Sequence, residues 1–139
     1  MREISPINRS KNQARKYYDR ISKFYDWLTS GEKKFVKLGV DLLSVKPKEK
    51  IAEVGCGTGA GINYIQRKLS LEGMLIGFDL SHQMLQRSQT IVEFINSGTH
   101  LVQGDAAKLP IRPDQFDGIL CSFTLELFTE REIRHVLNE

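Results

Sequence analysis

The chain has 139 residues, 40% hydrophobic and 27% charged, with a formal net charge of +3; that is the size of one ordinary globular domain and too short for two. No apolar run approaches the ~20 residues of a membrane span, and the polar, basic opening MREISPINRSKNQARK lacks the apolar segment of a secretory signal. Residues 1–50 carry 13 Lys/Arg against 6 Asp/Glu, whereas residues 51–139 carry 7 against 11, so the basic third either faces an acidic partner or is a solvated helical face.

In SKNQARKYYDRISKFYDWL, the residues Ala14, Tyr17, Tyr18, Ile21, Phe24, Tyr25 and Leu28 recur at helical spacing behind Ser10, a suitable N-cap. EKKFVKLGVDLLS repeats the pattern, with Phe35, Leu38, Leu42 and Leu43 expected on one face. VKPKEK reads as a turn, and after it strands and helices alternate. KIAEVG is a short strand, GAGINYIQRKL a helix, MLIGFDL a second strand. Ser81 caps HQMLQRSQTIVEFIN, where Met84, Leu85, Ser88, Val92 and Ile95 share a face. SGTHLVQGD holds a third strand and QFDGILCSFTLELF a fourth, and Thr129 caps a last helix, EREIRHVLNE. This alternation predicts an α/β domain with a parallel sheet and helices on both faces. Residues 1–46 are expected to form a helical cap and 47–139 the core.

IAEVGCGTGAGI, at the first strand-to-helix junction, places Gly55, Gly57 and Gly59 in alternation. Glycines there let the backbone turn tightly and approach a ligand with no Cβ in the way, and the following helix offers unpaired N–H groups at its start. Gly55-x-Gly57-x-x-Ala60 satisfies a loose dinucleotide fingerprint, with Asp79 some way on as a ribose ligand. That reading makes the protein an NAD-dependent oxidoreductase. Glu53 argues against it, because a carboxylate beside a pyrophosphate is repelled by about a few kcal/mol.

Read from Glu53 to Gly59 as E-x-G-x-G-x-G, the stretch resembles the class I S-adenosylmethionine-dependent methyltransferases. GFDLS and QGDAAKLP follow in the same order as in that family, and FDGILCSFTLELF is similar to its fourth strand. The N-terminal YYDRISKFYDWL is similar to the opening helix of the ubiquinone/menaquinone-biosynthesis group of small-molecule methyltransferases (methyltransferase type 11). The resemblance runs from about Lys50 to Leu137. It implies a Rossmann-like fold and S-adenosylmethionine as cofactor, leaving as S-adenosylhomocysteine. It implies that Gly55, Cys56, Gly57 and Gly59 form the loop under the methionyl part, with Glu53 bonding near it. Asp79 would hold both ribose hydroxyls, with Leu80 and Met84 packed near the adenine. Asp105 would accept the adenine amino hydrogen, and the Ala106 N–H would reach a ring nitrogen. Tyr17 and Tyr25 are the aromatic candidates to cover the cofactor, and the alternative for each is plain helix packing.

The acceptor implied is a small molecule: CSFTLE stands where nucleic-acid amino-methyltransferases carry their NPPY-type motif, so nucleic acid is not expected. No catalytic base can be named. Glu126 is read as an ordinary loop carboxylate, Cys56 as a small filler, Cys121 as a core residue, and His82 and His135 as surface helix residues. Two distant cysteines make no disulfide framework and suit the cytoplasm, and the three histidines have no metal-ligand spacing. The family's sheet has seven strands, and this sequence reaches only the fourth, giving the order 3-2-1-4 without strands 5–7. The fourth strand is then an unpaired edge. Two copies joined through it, a fragment of a longer enzyme, and a catalytically silent cofactor-binding or regulatory module are the organisations consistent with that end.

Overall fold

The computed structural model describes residues 10–94, 98–109 and 111–138. In chain order it contains α1 (Lys11–Leu28), α2 (Lys33–Leu43), β1 (Lys50–Val54), α3 (Ala60–Gln66), β2 (Met74–Asp79), α4 (His82–Phe94), β3 (Thr99–Gln103), β4 (Gly118–Cys121), a 3₁₀ turn (Leu125–Leu127) and α5 (Glu130–Asn138). Ile95 and the opening residues 1–9 lie outside the described residues.

All pairings are parallel, in the order β3-β2-β1-β4. This is the Rossmann-like α/β arrangement expected from the alternation of strands and helices. β1 is interior and buried over Ile51–Val54, as a strand paired on both sides in a sheet covered by crossover helices is, and it carries one charged residue in that stretch, Glu53. Ile51, Leu75 and Leu120 share one core with Val40 of α2, Ile62 and Ile65 of α3, and Leu85 of α4. On the other face Ala52 pairs in register with Ile76 and Ile119, and Ile119 is 56% exposed.

The capping expectations hold in atomic detail. Ser10 and Gln13 form a reciprocal capping box at α1, and Thr129 and Glu132 do the same at α5. Ser81 Oγ accepts from the Met84 N–H.

Two expected helix faces are corrected. On α1, Tyr17, Phe24 and Leu28 are exposed, and the inward stripe is Ala14, Tyr18, Ile21, Ser22 and Tyr25. On α2, Phe35, Leu38 and Leu42 are exposed, while Val40 is fully buried and Leu43 packs on the core. The cause is Gly39: its missing side chain lets α2 approach β4 so closely that a Cβ there would sit 3.3 Å from Leu120. This contact selects the Val40 side of the broad apolar face that α2 carries opposite Lys33, Lys34, Lys37 and Asp41.

Candidate functional site

The C-terminal ends of β1, β2 and β3 open into one cavity of about 600 Å³, roofed by α1 and flanked by the loop after β4 and by α5. Such a crevice at the carboxyl ends of parallel strands is where open α/β sheets bind ligands.

The loop after β1 forms its floor. Gly55, Gly57 and Gly59 all have positive φ (72°, 54° and 94°), a backbone region that L side chains rarely adopt. They serve three purposes. A Cβ on Gly55 would overlap the Thr124 side chain, and one on Gly59 would lie 2.6 Å from Ser88 Oγ on α4. One on Gly57 would meet only the Tyr25 ring, at 3.9 Å. Gly55 and Gly57 line the cavity; Gly59 does not.

Asp79 ends β2 and faces the cavity. Its carboxylate accepts the Gly57 N–H at 2.8 Å on one oxygen and the Ser81 N–H at 2.8 Å on the other. Burial pushes its pKa up despite the backbone N–H groups around it, and nearby Asp19 adds to the rise. Leu80 and the buried Met84 supply apolar wall beside it.

Asp105 and Ala106 enter from the loop after β3. Lys11 of α1 places its ammonium 2.5 Å from Asp105 Oδ2 and 3.4 Å from Glu132 Oε1, and the Ala107 N–H donates to Asp105 Oδ1. Burial would raise the Asp105 pKa, but the Lys11 hydrogen bond and charge hold it below the ordinary value.

Glu53 and Cys56 stand outside this cavity and line a second one of about 50 Å³. The two cavities share Tyr25, Gly55, Gly57, Ser122 and Phe123. Glu53 is 3% exposed, and its Oε2 has no hydrogen-bond partner. Burial first, and the charge of Asp79 second, push its pKa up to about 8. Cys56 is buried with its sulfur 3.0 Å from where a Gly77 Cβ would lie, and burial pushes its thiol well up. It fills space, as its sequence context suggests.

Of the two aromatic candidates, Tyr25 lines both cavities and Tyr17, 42% exposed, lines neither. Tyr18 takes the inward position, one residue along the helix. Glu126, in the 3₁₀ turn after β4, is exposed and lines neither cavity, and His82 is exposed on α4. Cys121 is half-buried. His135 is exposed and yet lines the large cavity, together with Lys11, Thr124, Phe128 and Arg131. Sequence reasoning missed these because loops and surface helices carry no periodic signal for facing a cavity. The one usable sign was the basic excess of the N-terminal third, from which Lys11 comes. Among the described residues no helix is long and apolar enough to cross a membrane, and no group of three or more His, Cys, Asp or Glu could hold a metal ion.

Residues 51–139 match the methyltransferase domain family. The chain is 25% identical to a 2-phytyl-1,4-naphtoquinone methyltransferase of Trichormus variabilis over 138 residues, covering 91% of this chain and 60% of that protein. It is 29% identical over 123 residues to a demethylmenaquinone methyltransferase of Staphylococcus haemolyticus, covering 85% of this chain and 51% of the relative. This chain thus spans about half to three fifths of the length of these curated relatives. The crystal structure of a magnesium protoporphyrin IX methyltransferase from Synechocystis with bound S-adenosylmethionine superposes with a TM-score of 0.75 at 18% identity, over 91% of this chain and 68% of that one. With the family match covering the whole sheet and its glycine loop, this chain belongs to the methyltransferase domain family.

Proposed function

We propose that the chain binds S-adenosylmethionine at the ends of β1–β3 and takes part in transferring its methyl group to a small molecule. The observation that carries this reading is the convergence of the glycine loop, Asp79 and the Asp105–Ala106 pair, from three separate strands, on one cavity. The residues fit the cofactor's chemistry. Asp79 offers two acceptor oxygens to a vicinal diol, each with a lone pair left after its backbone bond. Leu80 and Met84 give the apolar surface an adenine needs. Asp105 keeps acceptor capacity for an amino group beside its Lys11 bond, with the Ala106 N–H next to it. Glu53 leaves one carboxyl oxygen without a partner among the described residues, which suits an ammonium group. Gly57 leaves the backbone open where a side chain would intrude. Cys56 shapes the loop, and Gly59 seats it on α4.

The bound cofactor supplies an activated methyl group on a sulfonium. The chain's own task is alignment and the exclusion of water. The Tyr25 ring lines both cavities, and an aromatic face near a positive sulfur is favourable by about 0.5–2 kcal/mol. Tyr17 is better suited to packing on the helix surface, where its ring stands edge-on to Tyr18. α1 is held over the cavity as a cap, which supports the division into residues 1–46 and 47–139. The acceptor side is bounded by Phe123, Leu127 and Phe128; the relatives named for naphthoquinone and menaquinone substrates support an apolar, small acceptor. The two unpaired cysteines fit a reducing cytoplasmic setting. We also propose that two copies meet through the free edge of β4.

Calorimetry with S-adenosylmethionine, S-adenosylhomocysteine and NAD in parallel tests the reading. Binding of the first two, lost in Asp79→Ala, is the expected result. Binding of NAD alone would return the site to the dinucleotide alternative.

A further inference from the structure

We infer that cofactor binding at this site is coupled to the release of one proton, and that Glu53 is the group that gives it up. The inference rests on the proposed S-adenosylmethionine site and concerns how that site is charged when empty and when filled. Glu53 lies at the end of β1 with its side chain packed under α3, so close to Gly61 that no side chain could stand there. It is 3% exposed, the Ile62 N–H hydrogen-bonds its carboxyl, and Oε2 is left with no partner. The small cavity of about 50 Å³ lies beside it, room for a compact polar group.

The charged and titratable groups around Glu53 are unbalanced. From β2 comes Asp79, an acid; from the glycine loop and β4 come the Cys56 and Cys121 thiols, both pushed up, first by burial. α1 contributes Tyr25 and Asp26 to the small cavity, and the start of α2 contributes Glu32 and the exposed Lys33 at its rim. Among the described residues no cation reaches the carboxyl itself. A buried carboxylate without a counter-charge is strongly disfavoured, so the empty site holds Glu53 as the neutral acid. Its pKa near 8 agrees with this.

A ligand that brings an ammonium group to this cavity changes the balance. The cation favours the carboxylate, the O–H bond of Glu53 breaks, and its proton passes to solvent. The net charge of the site is then unchanged: one cation in, one proton out. Between the bound and the free pKa, the association constant rises about tenfold per pH unit, because one proton is released per ligand.

The test is calorimetry with S-adenosylmethionine at about pH 6.5, where the ligand's own α-amino group is already charged, repeated in buffers of differing ionisation enthalpy. The wild type should release close to one proton per ligand. Glu53→Gln should release close to none, and its affinity should be flat between about pH 6 and 7. Binding by the wild type without proton release, or equal release from Glu53→Gln, overturns the inference and leaves the cofactor reading standing. No binding of either S-adenosylmethionine or S-adenosylhomocysteine overturns both. If Glu53→Gln does not fold, carboxyl NMR of the wild type decides. A Glu53 titration above pH 7 that moves below pH 6 on adding ligand supports the coupling, and an ordinary carboxylate titration in the free protein rejects it.

Discussion

A methyl group at Gly55 would overlap Thr124, and the backbone there has φ +72°. Both penalties fall on the folded state, so Gly55→Ala should destabilise by about 2–4 kcal/mol, read from urea denaturation. Gly57→Ala carries the backbone cost alone, about 1–2 kcal/mol, because its new methyl would make only an ordinary contact with the Tyr25 ring, on the cavity side. The methyl takes up cavity space, so Gly57→Ala should fold and bind S-adenosylmethionine several-fold more weakly. Two glycines of one motif are thereby expected to fail differently, one in stability and one in affinity. Glu53 adds a pH dependence. Its folded pKa, about 8, stands above the ordinary value of 4.5. The stability it contributes is complete below about pH 4.5 and is lost as pH rises through 8, on the order of a few kcal/mol. Urea midpoints of the ligand-free protein should fall over this window, and in Glu53→Gln this part of the fall should vanish. Glu53 and Asp105 were singled out by the resemblance to the methyltransferases, and Asp79 also by its distance from the glycine loop. The sequence could not show that Asp105 is already held by Lys11, a partner 94 residues away, nor that one oxygen of the buried Glu53 finds no partner among the described residues.

α1 reaches each of the three strand-end loops by one polar contact. Asp26 accepts from Thr58 Oγ1 after β1 at 2.6 Å, Asp19 from Ser81 Oγ after β2 at 2.5 Å, and Lys11 meets Asp105 after β3 at 2.5 Å. A helix held mainly by such contacts, with Phe24, Trp27 and Leu28 turned to solvent, is anchored less by apolar burial than α2 or α3. Asp19 also accepts from the Gln83 N–H at the start of α4, where a negative charge is favourable. Asp19→Ala should therefore cost about 1–2 kcal/mol, and amide exchange should speed up along α1 while β1 and β2 stay protected. The Lys11 contact has its own pH limit. The Asp105 pKa is held below its ordinary 3.8, so its contribution is present above that value and is lost as pH falls through the lowered one. Element order, strand identity and the three cap residues Ser10, Ser81 and Thr129 were legible in the sequence, since they depend on local periodicity and turn chemistry. The inward faces of α1 and α2 were not. Each helix carries a broad apolar face, and which part of it turns inward is decided by long-range contacts such as Gly39 on Leu120.

At the scale of the molecule, β4 pairs only with β1 and ends the described sheet. Its other edge presents unpaired backbone groups, and Ile119 beside it is 56% exposed, with Phe35 and Phe123 in edge-on contact and also exposed. An open apolar edge of this kind is a template for another strand. The proposed second copy would satisfy it with the same surface on both sides, and a two-fold axis would make the two β4 strands run antiparallel. The four residues of β4 form too short a ladder to hold alone, so the apolar groups around it must supply most of the association. Light scattering over a concentration series should show the mass rising from 15.9 kDa towards twice that value. Ile119→Lys puts a charge into the middle of the joint and should return the protein to a monomer at every concentration. Ile119 lines neither cavity, so the same variant should bind S-adenosylmethionine as the wild type does. A wild-type mass of one chain throughout the series would remove the dimer and leave the edge without a partner in the isolated protein.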